Sequence, residues 1–160
     1  MAVQHLLQEL ARQVRERTMQ LLAAAPAEAL LWSPPGTQNH ILWHAGHAVW
    51  LMDVLGVEIL TGRSELPAGW AEIFGMNCRP PSVTRNWPSR TAILDRLRSQ
   101  LHRYLTILDH LPDDQPPLPE DPVAARRSVV GRLLHGLHDE ACHSGEMYLL
   151  LKAYRGGSRS

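Results

Sequence analysis

Four stretches of this chain set apolar residues at three- and four-residue steps, and no stretch alternates apolar with polar residues at a period of two. The first pattern gathers apolar side chains on one face of an α-helix; the second is what a half-buried strand would need. The contrast predicts an all-α fold: an antiparallel four-helix bundle with long connecting loops. The first helix is expected from about Val3 to Ala25, with Val3, Leu7, Leu10, Val14 and Leu21 on its stripe and Pro26 at its end. The second follows Ser33-Pro34-Pro35-Gly36-Thr37 and runs to about Thr61, with Ile41, Ala45, Ala48, Leu51, Met52 and Leu55 inward and Gly62 as its stop. The third starts after Ser89, a good N-cap, and carries Leu94, Leu97, Leu101, Leu105 and Leu108 until Pro112. The fourth is expected from about Arg126 to Tyr154, closed by Gly156-Gly157.

Residues 1–155 are expected to form one domain, with 156–160 a mobile tail. The chain of 160 residues is long enough for a real core. It carries 16 basic and 16 acidic side chains, so its formal charge is zero and offers no electrostatic case for nucleic acid or an anionic membrane. No apolar run approaches the ~20 residues of a membrane-spanning helix. Two cysteines, Cys78 and Cys142, make no disulfide framework, and no signal peptide is visible. The expected compartment is the cytoplasm. Two connections, 63–88 and 112–125, are long and rich in proline; such loops are often functional.

The chemistry concentrates in nine histidines, and their clustering matters more than their number. In the fourth helix Asp139 and His143 are four residues apart, which puts them only ~40° apart around the axis. In the second helix His47 shares a face with Trp43, Leu51 and Val54 and adjoins Gly46, a small residue that permits close approach. Two imidazoles and a carboxylate form the three-ligand set of a metal site with an open position. Candidate ligands are therefore His47, Asp139 and His143. His138 lies five residues before His143, ~140° around the helix, so the two rings diverge. Glu140, three before His143, stands behind Asp139 as an alternative, as does His138. His44 is open as a ligand, a supporting group or a core histidine, and His40 as a cap or a solvent-facing residue. Glu146, one turn beyond His143, is placed to orient a ligand. The competing account is a neutral core histidine bonded to a buried Asp139, with Arg the ordinary partner for a buried carboxylate. Cys142 is expected as a small buried hydrophobe. The tryptophans are expected to fill core and loop pockets.

At these residues the chain resembles the DinB/YfiT-like superfamily of metal-binding four-helix bundles. That pattern has Asn-x-Ile-x-Trp-x-x-x-His in the second helix, matched by Asn39, Ile41, Trp43 and His47. Its last helix carries His or an acidic residue, three residues, then His-x-Gly-Gln/Glu, matched by Asp139 and His143-Ser144-Gly145-Glu146. Trp70-x-x-x-Phe74-Gly75 and Trp87-Pro88 are similar as well. An acidic residue at the position of Asp139 is similar to the metal domain of mycothiol-dependent maleylpyruvate isomerase. The resemblance implies a zinc, nickel or iron site, a homodimer and, in some members, reactions of low-molecular-weight thiols.

The leading expectation is a metal-dependent enzyme, a thiol-dependent transferase or a hydrolase, acting on a small-molecule substrate at the open metal position. The alternative is a noncatalytic metal-binding or stress-response helical dimer. Trp50 and Leu55, beyond the narrow core stripe, are candidates for apolar contact area in a homodimer.

Overall fold

The computed structural model describes residues 3–112 and 114–157. Among them every regular element is helical. Helix α1 (Val3–Ala24) buries Leu7, Ala11, Val14, Leu21 and Leu22. Helix α2 (Ile41–Met52) is buried almost all round and runs through a wider π-helical turn, Asp53–Val57, into α3 (Glu58–Thr61). The stop comes at Gly62, whose φ of 77° is the left-handed cap that glycine takes without strain. A short helix α4 (Trp70–Phe74) lies in the following connection. Helix α5 (Arg90–Leu108) begins at Ser89, whose hydroxyl accepts the Ala92 N–H at 3.1 Å, the cap expected from sequence.

The fourth helical stretch is broken. A short α6 (Pro122–Arg127), capped by Asp121, precedes α7 (Val129–Gly157). Ser128 makes the break: its backbone is extended, and its hydroxyl accepts the Gly131 N–H at 3.0 Å, capping a new helix. Helix α7 also runs through Gly156 and Gly157, past the expected end at Tyr154. Residues 158–160 of the expected tail lie outside the described residues.

Two core clusters show how the rods run. One joins Leu21 and Leu22 of α1 to Ile41, Ala45 and Val49 of α2, Ile93 and Leu97 of α5, and Met147 and Leu151 of α7. The other joins Leu7 and Ala11 to Met52 and Val57, Tyr104 and Leu108, and Leu133 and Leu137. Helices α1 and α7 therefore point one way, and α2 and α5 the other. The packed neighbours are α1 with α5 and α7, and α2 with α5 and α7. So the α1/α5 and α2/α7 pairs are antiparallel, as expected, while α1/α7 and α2/α5 run parallel. The length of the connection explains this. After α3 the chain must return along the bundle, a rod of roughly 30 Å at ~1.5 Å per residue, before α5 can begin. That return passes over the end of the bundle where α4 docks.

The middle of the bundle is polar. Arg15 of α1 is fully buried, and its Nε and Nη2 lie 2.8 and 2.9 Å from the two carboxylate oxygens of Glu140 on α7. Its other donors reach the Ala48 carbonyl of α2 and, on α5, the Leu97 carbonyl and Gln100 Oε1. Thr18 donates to Glu140 Oε1, and Gln100 donates to the Val49 carbonyl. One ion pair thus touches all four long helices.

Candidate metal centre

Helix α2 opens at His40, whose Nδ1 accepts the Trp43 N–H at 3.1 Å. His40 is thus the helix cap, one of the roles left open from sequence. It is buried, and burial lowers its pKa to about 4. One turn on, Trp43 and His44 follow, and one further turn brings His47. All three are buried because this end of α2 is enclosed by the α4 segment and by α7.

His47 is the most tightly held of the candidates. Its ring is sandwiched between Trp43, at 4.6 Å and 12° between planes, and Trp50, at 5.2 Å and 17°. Its Nδ1 lies 2.5 Å from the Phe74 carbonyl oxygen. A carbonyl only accepts, so the proton is on Nδ1 and the lone pair of the neutral ring is on Nε2. Burial is the main cause of a His47 pKa lowered to about 4; the Phe74 bond and the charge of Asp139 oppose it, and His143 adds to it. The ring is neutral near pH 7, the form that can ligate a metal.

His143 lies across from His47, with ring centroids 4.6 Å apart. Its Nδ1 is 3.0 Å from Glu146 Oε2. Asp139, half-buried, joins His47 and His143 in lining one cavity of about 460 Å³, whose other walls include Trp43, Met76, Cys78 and Pro80. Gln38 and Asn39 line it as well. The three sequence candidates therefore share a single cavity.

A second grouping sits beside it. The Nδ1 atoms of His44 and His143 are 2.9 Å apart, and Glu146 Oε2 is 3.2 Å from the first and 3.0 Å from the second. Among the described residues these three form the one group whose donor atoms all lie within 4.8 Å of one another. His44 is neutral near pH 7, its pKa lowered to about 3 by burial and then by His143, His47 and His40. Two imidazole nitrogens and a carboxylate oxygen at these separations place lone pairs against one another unless a proton or a cation lies among them. Tetrahedral ligands at metal–donor distances near 2.1 Å stand about 3.4 Å apart, close to this triangle. The residues fit a divalent ion.

Three sequence expectations need correction. Glu140 is no candidate ligand: it is buried against Arg15. Cys142 is exposed rather than buried, 3.9 Å from His138 Nε2 on the outer face of α7. His138 is exposed with it, facing away from the cavity, as its ~140° offset from His143 requires. The inward stripe of α7 is Leu133, Leu137, Glu140, Ser144, Met147 and Leu151, which puts Glu140 rather than Asp139 at the core position. Trp50 and Leu55 are both half-buried, Trp50 stacked on His47 and Leu55 beside Gly136.

Two contributors were missed. Arg15 stands on the stripe Leu7, Ala11, Arg15, Thr18, Leu22, and a charge at a core position of an apolar stripe was the signal for a buried partner. The Phe74 carbonyl carried no signal, because a backbone acceptor in a loop has no residue type.

The sequence profile described as the DinB superfamily matches residues 10–147. The chain is similar in structure to a conserved protein from Enterococcus faecalis, with a TM-score of 0.71 at 18% identity over 98% of this chain and 99% of that one. At that identity the likeness is one of fold. No curated protein matches the chain.

Proposed function

We propose, from the premise that the chain belongs to the DinB superfamily, that it is a metal-dependent enzyme holding one divalent ion through His47, Asp139 and His143. One observation carries this assignment. His47 has its Nδ1 against the buried Phe74 carbonyl, the His143 ring lies across from it with centroids 4.6 Å apart, and both line the cavity that Asp139 also lines. An imidazole whose Nδ1–H is held in this way offers Nε2 as a ligand with its orientation already set. Two neutral rings and one carboxylate against a divalent ion leave a net charge of +1, suited to an anionic ligand at the open position. Zinc suits this borderline donor set, and nickel or iron also fit.

When bound, such an ion lowers the pKa of a coordinated water or thiol to near neutrality. The chain's own groups do the rest. Trp43, Met76 and Pro80 wall the cavity with apolar surface, and Gln38 and Asn39 offer amides to a polar part of a small-molecule substrate. Glu146 Oε2, 3.0 Å from His143 Nδ1 and 3.2 Å from His44 Nδ1, orients these two rings. A thiol-dependent transfer, with a low-molecular-weight thiol as cosubstrate, or a hydrolysis is the reaction proposed. The working form proposed is a homodimer, and sedimentation showing only an 18.0 kDa species would count against it.

A second ligand set, His44, His143 and Glu146, is favoured by its donor atoms already lying within 4.8 Å of one another. The test is metal content after purification without added metal, followed by thiol-transfer and hydrolysis assays on the reloaded protein. Metal-free wild-type protein that takes up no ion rejects both sets. Metal without turnover leaves the noncatalytic metal-binding alternative.

A further inference from the structure

We propose that the short helix α4 is a positioning device that fixes which nitrogen of His47 carries the proton, and that Gly46 is the residue that lets it dock. The geometry stands by itself; its use in metal binding rests on the assignment of His47 as a ligand.

The last turn of any helix leaves carbonyls without partners inside the helix. In α4 each one is accounted for. Ala71 O accepts the Gly75 N–H at 2.9 Å, and Glu72 O accepts the Arg79 N–H at 3.0 Å. The next two turn to α2: Ile73 O accepts from Trp43 Nε1–H at 3.2 Å, and Phe74 O accepts from His47 Nδ1–H at 2.5 Å. Two ring donors one turn apart on α2 thus cap the C-terminal end of α4. Phe74 has no exposed surface, so no water replaces His47 as donor. Moving the proton to Nε2 would set the Nδ1 lone pair against the carbonyl oxygen and leave a buried acceptor unpaired. The docked helix therefore selects the Nδ1–H form and leaves Nε2 bare before any ion arrives.

Docking at this distance depends on a missing side chain. A Cβ at Gly46 would lie 2.2 Å from Phe74 Cε1 and 2.4 Å from Cδ1 and Cζ. The Phe74 ring lies directly across the backbone of α2, and its own carbonyl is thereby delivered to His47. Alanine is the better helix former at such a position, yet the ring excludes it. Gly46 and Phe74 are positioning residues: neither is a ligand, and both act through His47.

The experiment reads the tautomer directly. Nitrogen-15 spectra of histidine-labelled, metal-free protein are expected to show His47 protonated at Nδ1 in the wild type. Gly46→Ala is expected to shift His47 toward the Nε2–H form and to raise the zinc Kd by roughly 10–100-fold, the usual effect of losing a group that orients a ligand. Gly46→Ala combined with Phe74→Leu, which trims the clashing ring, is expected to recover most of both losses. If G46A does not fold, Trp43→Phe carries the test: it removes the donor to Ile73 while keeping a ring against His47. Faster solvent exchange of the His47 Nδ1 proton in W43F supports the device, and unchanged exchange overturns it. A wild-type His47 protonated at Nε2, or a folded G46A with an unchanged tautomer, also overturns it. The two proposals separate cleanly: the Nδ1–H form without zinc binding defeats the metal assignment alone, and zinc binding by an Nε2–H ring defeats the positioning role alone.

Discussion

Replacing Glu140 with Gln should destabilise the fold strongly and leave the metal site intact. The substitution keeps the size of the side chain and removes its charge. Arg15 then remains fully buried as a cation, with only neutral partners: the Ala48 and Leu97 carbonyls and Gln100 Oε1. Removing one partner of a buried ion pair costs about 3–5 kcal/mol. Those three acceptors stay in place and partly solvate the guanidinium, so the lower end, ~3 kcal/mol, is expected. For a domain of this size each kcal/mol moves the melting temperature by about 2–4 °C, so Tm should fall by roughly 6–12 °C. Urea denaturation of the metal-free protein measures the loss, with an unchanged m-value showing that the comparison is sound. Metal bound per chain, by elemental mass spectrometry, should match the wild type, because Glu140 faces Arg15 and not the cavity. Arg15→Met combined with Glu140→Leu should recover most of the stability, since an apolar pair leaves no buried charge. A loss below about 1 kcal/mol, or loss of the metal with stability unchanged, would refute the assignment of Glu140 to the bundle core.

His47→Ala should empty the metal site while His44→Ala leaves metal content close to that of the wild type; the opposite outcome assigns the ion to the His44, His143 and Glu146 set. Asp139→Asn should weaken binding because the amide carries no charge, whereas His138→Ala, on the outer face, should leave binding unchanged in a metal titration. Stability should fall as the pH drops from 6.5 towards about 4, because His40, with a pKa lowered to about 4 in the fold, takes up its proton in the unfolded chain first. The sign follows from the unfolded state binding more protons across that window, and the stabilisation is complete above 6.5. His44 and His47 act in the same direction. His40→Asn keeps a side chain able to accept the Trp43 N–H and should flatten part of this dependence in denaturation curves recorded from pH 4 to 7.

The helices could be read from the chain because their signals are local. An apolar residue every three or four positions, Ser89 at a cap and Gly62 at a stop act within one or two turns, whatever the rest of the molecule does. The candidate site residues stood out for the same reason: Asp139 and His143 are neighbours on one helix face, His47 points inward on another, and all three line one cavity. Asp139 and Glu140 are both acidic and only ~100° apart, so nothing local separates the carboxylate of the core from its neighbour. Which of them enters the core is decided by where Arg15 arrives from α1, 125 residues away in sequence. Likewise, that His47 is protonated at Nδ1 is settled by a carbonyl of α4, a helix too short to announce itself by periodicity. Long-range pairing of this kind leaves no local pattern, because the energy of a buried charge or a buried carbonyl depends on the partner brought to it in space and not on its neighbours along the chain.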